Sequence, residues 1–469
     1  MITSRIIIAK WVLPMDAPPM ENGAVHIWDG KIVALLTEAE AYAKSDKYRI
    51  DRTHYSRGIL MPGLVNVHTH LDYTLMRGLL EDIEFFPWIR ELTLRKAIVE
   101  WEDWVASATI GAAEALSGGV TTIGDCTDSG AAFYGAKALG LRGRIYQEVF
   151  GIDPNFGLVP DIVAELSAKV EKLQAEAKGT HLSIGISPHA PYTVRGELLE
   201  ALAEYAREKE LYQCIHAAES GAEGALFRAG TGGIAEMFAR RGIEWKAPGQ
   251  STVAYLEARG SLSPRTMLVH GVGVSASDRF ILSRTKTAWA HCPKSNAKLG
   301  NGVAPLSLLR GEEGQNPVGI GSDSVASNNT LDLFEEMRFA VLMQRASRRK
   351  IEVLNAKDVV EMATLGGARA LGLEAEIGSL TVGKSADLCV VRIDDFHSIP
   401  AYDPYNALVY ASRASDVIST WVEGVCLYDS DMGGRENWER HFLHIDPALL
   451  TDAKARLLEA AERQREWRP

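Results

Sequence analysis

One recurring pattern constrains this chain more than any other feature. Between residues 62 and 371, short apolar runs occur at 64–67, 121–124, 145–150, 182–187, 212–215, 266–269, 287–290 and 318–321. Each is followed by a stretch of helical character; 197–210 and 332–345, for example, place apolar side chains at i, i+3 and i+4. Apolar strands separated by helices are the mark of a parallel sheet covered on both faces. Eight such units in this span predict an α/β fold, a (β/α)8 TIM-like barrel over 62–371. The flanks read differently. Asn22-Gly23 and Asp29-Gly30 are turn signals among short strands at 6–9, 25–27 and 32–35. Strand-like runs return at 388–391, 417–422 and 425–428. The two flanks, 1–61 and 372–436, are expected to join in one small β-sandwich domain. The tail, 437–469, carries a charged amphipathic helix over 449–467, expected either to pack on the chain or to serve an oligomer contact.

Composition narrows the partners. Lys+Arg 50 against Asp+Glu 61 leaves a formal net charge of −11, which repels phosphate backbones, so no nucleic-acid partner is expected. The five cysteines are odd in number and contain no CxxC, as in a reduced cytoplasmic protein. No apolar stretch approaches the roughly 20 residues of a membrane helix. The opening MITSRIIIAKWVLPM has an early Lys10 and no cleavage-site pattern. These features predict a cytoplasmic enzyme, active as a homo-oligomer (dimer or tetramer), acting on a small heterocyclic substrate and water, with no membrane partner.

Six of the twelve histidines fall at or just past predicted strand ends: His68 and His70 (VNVHTH), His189 (SPHAPY), His216 (CIHAAE), His270 (LVHG) and His291 (AHCP). Asp323 closes the last strand in GIGSDS. A barrel gathers these ends into one mouth. A lone histidine there is ordinarily a hydrogen-bonded structural residue. Alternate residues of a strand share a face, however, so His68 and His70 can reach one cation together. With His216 and Asp323 they make a His₃Asp donor set suited to one divalent metal, Zn²⁺ first, with Fe²⁺ or Mn²⁺ as alternatives. Glu219, three residues after His216, is by itself a solvated acid opening a helix. Beside water activated at a cation it is a natural proton shuttle, with Asp323 taking the water's proton and His270 holding it in line. That arrangement points to hydrolytic attack on a carbon bearing a leaving group, such as ammonia from an amidine-like ring.

Longer motifs carry a resemblance across nearly the whole chain. PGLVNVHTHLDYTLMRG (62–78), SPHAPYT (187–193), HAAES (216–220), LVHG (268–271), AHCPKSNAKLGNGVAPL (290–306), GIGSDSVASNNTLDLFEEMR (319–338) and IGSLTVGKSADLCVV (377–391) resemble the amidohydrolase superfamily. The resemblance implies His68, His70, His216 and Asp323 as metal ligands, Glu219 as proton shuttle and His270 as the residue holding water. Binuclear members carry a carboxylated lysine on the fourth strand; HLSIGISPHA here has none, which implies a single metal. The HxxE at His216–Glu219 marks the deaminase group and favours deamination over the dechlorination of related triazine chlorohydrolases.

Two nucleoside subgroups are similar. Methylthioadenosine/S-adenosylhomocysteine deaminases carry a Trp-Pro-Ala-Glu element whose Glu holds ribose hydroxyls, and residues 94–97 here read LRKA instead. PWIR (87–90), YQEVF (146–150), SPHAPYTV and Ser324 after the aspartate look more like 6-aminodeoxyfutalosine deaminases. That resemblance implies conversion of 6-amino-6-deoxyfutalosine to futalosine plus ammonia, in menaquinone biosynthesis. It also implies substrate contacts from His189, Trp88, Glu148, Arg77 and Ser324, with Arg90, Arg95 and Arg195 as further candidates for a cation facing the substrate's benzoate. Deamination of methylthioadenosine, S-adenosylhomocysteine, adenosine, guanine or a pterin, and triazine dechlorination, are the alternative enzyme readings. A metal-free scaffold is the non-enzyme reading, and the full ligand set argues against it. His291 is expected to be structural, holding the loop 296–302.

Overall fold

Residues 4–311, 315–432, 434 and 437–467 are described by the computed structural model, the side chain of Phe86 excepted. The outermost residues of the expected terminal segments, 1–3 and 468–469, and the expected boundary at 436 lie outside them. Ser4–Val12 (β1) is free of glycine and proline and rich in isoleucine, and it forms a long strand. It pairs antiparallel with Met20–Trp28 (β2), which turns at Asp29 and Gly30, both at positive φ, into Lys31–Thr37 (β3). That is the two-residue hairpin geometry a DG pair favours. The helix Glu38–Tyr48 was not foreseen among the strands of this flank. A capping box between Thr37 and Glu40 starts it. Asp51–Pro62 (β4) then pairs parallel with β1.

The barrel follows as Leu64–His70 (β5), Val120–Thr127 (β6), Arg142–Val149 (β7), Leu182–Pro188 (β8), Gln213–Ala217 (β9), Thr266–His270 (β10), Ala288–His291 (β11), Val318–Ile320 (β12) and Asp323–Ser324 (β13). Each strand from β5 to β12 bonds to the next in sequence order, all in parallel. All eight expected strands are present, but the eighth is broken at Gly321-Ser322. Its first piece, β12, pairs with β11; its second, β13, pairs with β5 through Asp323↔Thr69 and Ser324↔His70. The break therefore closes the curled sheet. A side chain there would be crowded, because a Cβ on Gly321 would lie 3.0 Å from the Cβ and carbonyl of His68 and from Cys292 Sγ. Val65, Val67, Cys126, Tyr146, Cys214, Met267 and Val269 fill the interior.

Leu388–Arg392 (β14), Val417–Val422 (β15) and Val425–Asp429 (β16) return to the first flank, β14 pairing antiparallel with β4. In hydrogen bonding the terminal strands form one seven-stranded sheet, ordered β16-β15-β14-β4-β1-β2-β3. A buried ion pair ties it to the barrel: Arg142 at the start of β7 donates from Nε and Nη2 to Asp387, at 2.7 and 3.3 Å, while Asp387 also accepts from the Glu423 amide. The tail helix Pro447–Glu466 packs within the chain. Its Arg456 and Arg463 pair with the fully buried Asp103 of the helix Trp101–Ser117, and Gln464 exchanges hydrogen bonds with Arg95. Among the described residues no helix is long and apolar enough to cross a membrane.

Asp387 is only 1% exposed at its side chain, so truncating it strands the Arg142 guanidinium. Asp387→Ala should cost about 3–5 kcal/mol of stability, read as a lowered denaturant midpoint. A double replacement, Arg142→Met with Asp387→Leu, should recover much of that loss. An unchanged midpoint for the single variant would show that the pair does not couple sheet and barrel.

Candidate active site

At the barrel mouth, His68 and His70 of β5, His216 of β9 and Asp323 of β13 bring one donor atom each to within 4.8 Å of one another, all buried. Alternation along β5 sends both of its histidines to this side, and the β13–β5 register sets Asp323 beside them. Asp323 Oδ1 is 3.4 Å from His68 Nε2 and 3.6 Å from His70 Nε2. His216 Nδ1 meets the His189 carbonyl at 2.8 Å, which fixes its proton on that nitrogen and leaves Nε2 as a donor atom. His68 Nε2 is buried with no hydrogen-bond partner. An orphaned imidazole nitrogen, two more imidazoles and a carboxylate fit a borderline-soft divalent cation such as zinc or iron.

Two of the three imidazoles are held in the neutral form that ligates. Burial, reinforced by the charge on His68, takes His70 down to about 3, and burial next to His189 lowers His216 well below the usual imidazole range. Both are therefore neutral and free to ligate. Burial opposes charge on His68 and Asp323 too, but their mutual contact wins. It holds the Asp323 carboxyl well below the usual carboxylate range and His68 up at about 10.

Neighbouring side chains lock these groups. Asp323 Oδ2 accepts from Ser295 at 2.6 Å and Ser327 at 3.0 Å, and Oδ1 from the Ser324 amide at 2.7 Å. His270 Nδ1 lies 2.9 Å from Asn296 Oδ1, so its Nε2 points at Glu219 Oε1, 3.8 Å away. Glu219 is touched by Tyr192 and Asn301, each at 3.4 Å. The carboxylate of Glu223 grips the amides of Ala218 and Glu219, both at 2.8 Å, and so holds the turn that aims Glu219. Burial, then the Asp323 charge, pushes the Glu219 carboxyl up to about 8. Tyr192, Glu223, Asn296, Asn301, Ser295 and Ser327 were not picked out from the sequence. The Ser220-x-x-Glu223 capping spacing and the 290–306 motif were the available signals.

The expected substrate contacts divide. His189 sits between His216 and Phe150, with ring centres 4.7 and 4.6 Å away. Glu148 brings its carboxyl within 4.8 Å of the His189 and His216 nitrogens. Its Oε1 is buried without a partner, and burial raises it well above the usual range. Trp88 is buried on the helix Phe85–Lys96, in a cluster with Met76, Leu80 and Ala326. Ser324 braces Asp323 and caps the turn Val325–Asn328. The structure does not bring Arg77 to the cluster: its guanidinium pairs with Glu114 and donates to the Asn329 carbonyl. Arg195 is spent on the carbonyls of Gly151, Asp153 and Gly157, and Arg95 on that of Gln464. Arg90 is exposed, about 200° around its helix from buried Trp88. The cation that does reach the mouth is Lys96, bonded to Tyr73 Oη and Asp128. His291 is buried with neither ring nitrogen hydrogen-bonded, beside Asn296 and Gly302 at the two ends of the 296–302 loop.

Comparisons with known proteins agree with this geometry. Residues 59–427 match the model of the amidohydrolase family. A 5-methylthioadenosine/S-adenosylhomocysteine deaminase of Syntrophobacter fumaroxidans is 33% identical over 416 residues, covering 88% of this chain and 89% of that one. A 5'-deoxyadenosine deaminase of Methanosarcina acetivorans is 33% identical over 435 residues, with coverage of 91% and 93%. Among solved structures, an adenosine deaminase from Xanthomonas campestris with bound zinc superposes with a TM-score of 0.84 at 28% identity, covering 99% of both chains. The aminofutalosine deaminase of Helicobacter pylori shares the fold, with a TM-score of 0.74 at 21% identity and coverage of 90% and 100%.

Metal analysis after metal-replete expression checks the donor set. His216→Ala and Asp323→Ala should lose the ion, and Ser295→Ala should weaken binding about 10- to 100-fold by freeing the Asp323 carboxylate. Glu219→Gln should retain the full complement. Metal loss from that last variant would make Glu219 a ligand instead.

Proposed function

The chain belongs to the amidohydrolase family, and we propose that it is a metal-dependent hydrolase removing the 6-amino group of an adenine nucleoside as ammonia. One observation carries this reading: a His₃Asp donor set with Glu219 and His270 facing each other 3.8 Å apart at its edge. His68, His70, His216 and Asp323 would hold the ion. When bound, it supplies Lewis acidity that brings the pKa of water toward neutrality. Water adds at C6 of the ring, the C6–N bond breaks, and ammonia leaves. Asp323 takes the proton of the attacking water. His270, its Nδ1–H donating to Asn296 Oδ1, presents Nε2 as an acceptor that aligns that water. Burial pushes the Glu219 carboxyl up to about 8, so it can protonate a ring nitrogen as C6 becomes tetrahedral. Asp323 then returns the proton it took to the departing amine, and Glu219 recovers a proton from the C6 hydroxyl as the carbonyl forms.

The sequence relatives, named for 5-methylthioadenosine, S-adenosylhomocysteine and 5'-deoxyadenosine, support an adenine nucleoside as the class. The finer reading, 6-amino-6-deoxyfutalosine, is supported by the PWIR and YQEVF motifs and by likeness of fold to the Helicobacter pylori enzyme. The placement of the arginines lends it no support: Arg77, Arg95 and Arg195 are engaged elsewhere, and Arg90 lies on the outer face of its helix. Ammonia release should be measured against adenosine, 5'-deoxyadenosine, methylthioadenosine, S-adenosylhomocysteine, 6-amino-6-deoxyfutalosine, guanine and a triazine. Release from at least one adenine nucleoside is expected, falling about 10²- to 10⁴-fold in Glu219→Gln. Release from guanine or the triazine alone would overturn the proposal.

A further inference from the structure

Two chains of contacts lead away from the imidazole cluster, and both end at Lys96. Along one, His70 stacks on Tyr73 with ring centres 5.5 Å apart, and Tyr73 Oη lies 2.9 Å from Lys96 Nζ. Along the other, His216 leads to His189 at 4.7 Å and to Phe150 at a further 4.6 Å, and Lys96 Nζ stands 6.0 Å from the centre of the Phe150 ring. The ammonium is thus linked to the imidazoles through Tyr73 on one side and Phe150 on the other. Of its three N–H groups, Tyr73 and Asp128 engage two; among the described residues nothing takes the third. Glu148 approaches the same histidines from the end of β7. It is 6% exposed, its carboxyl stands by His189 and His216, and its Oε1 has no partner. A spare donor on Lys96, whose side chain is 22% exposed, and a buried spare acceptor on Glu148 therefore stand on the same side of the imidazole cluster. A buried acceptor such as Glu148 Oε1 is costly unless a ligand satisfies it.

We infer that Lys96 and Glu148 form the subsite that grips the sugar hydroxyls of the nucleoside, an inference that rests on the deaminase reading above. A vicinal diol offers one oxygen to accept from Lys96 and one O–H to donate to Glu148. An anionic group fits less well. Asp128 already balances the Lys96 charge, and Glu148 and Asp72 add acid nearby. With the ring's C6 at the imidazole end, the sugar falls at the Lys96 end. Lys96 comes from the LRKA segment and Glu148 from YQEVF, so the subsite unites two motifs that are far apart in the chain.

The test compares kcat/KM for adenosine, 2'-deoxyadenosine and 3'-deoxyadenosine in the holoenzyme, with inosine and its deoxy analogues titrated by calorimetry as a readout free of turnover. The wild type should favour the ribonucleoside about 10- to 100-fold. Lys96→Met and Glu148→Met should bring that ratio close to one. Glu148→Met removes a buried, unpartnered carboxyl, so its thermal midpoint should hold or rise and loss of fold is not in question. If the wild type deaminates adenosine while both variants keep the wild-type ratio, the subsite is wrong and the deaminase reading stands. Loss confined to nucleosides bearing a 5'-carboxylate would show an anion site and overturn the inference as well. No ammonia from any adenine nucleoside, with no preference for inosine over its deoxy analogues, would sink both.

Discussion

The pairing of β13 with β5 is the contact on which the site depends. Closure of a parallel barrel requires the last strand to meet the first, and here only the two residues Asp323 and Ser324 do so, after a break at Gly321-Ser322. The break runs through a tight passage, where a Cβ on Gly321 would crowd His68 and Cys292. It also has a chemical result. Asp323 lands beside His68 and His70 at positive φ, a conformation held by three hydrogen bonds to its carboxylate. The residue that closes the barrel is thus the residue that completes the donor set.

Around this point the protein buries an unusual density of acid. Asp323, Glu219, Glu223, Glu148, Asp72 and Asp125 are all withdrawn from water, with Lys96 the main nearby cation. Such a group is tolerable only if protonated, paired or bound to a cation. Each of these outcomes is visible: Glu219 and Glu148 pushed toward the neutral form by burial, Asp323 ionised among imidazoles, Glu223 bonded to two amides. The acid role proposed for Glu219 and the base role proposed for Asp323 would follow from that difference in surroundings.

Much of the architecture was legible because barrel strands are written in apolar blocks and their ends in histidine. His68, His70, His216, His270 and Asp323 occupy strand ends where the strand count put them. What was not legible has identifiable causes. The helix Glu38–Tyr48 has little apolar periodicity and depends on its cap. Arg77 read as a cation near the mouth because it follows the strand-1 motif, but the turn after Met76 directs it to Glu114. Lys96 sits in the last turn of its helix, where a lysine ordinarily faces water and favours the helix dipole. It turns inward because Tyr73, Asp128 and Phe150, from three other segments, surround it, and because Gln464 of the tail helix holds the neighbouring Arg95.

The sequence by itself determined the α/β layout, the family and the donor types, since period, strand-end position and residue chemistry are local properties of the chain. Tertiary structure alone decided which donors share a point in space, where the eighth strand breaks, and which cation faces the imidazoles. Those depend on strand register and on side chains hundreds of residues apart, as with Asn66 bonded to Ser322 and Arg95 to Gln464. No local pattern encodes such meetings; packing selects them.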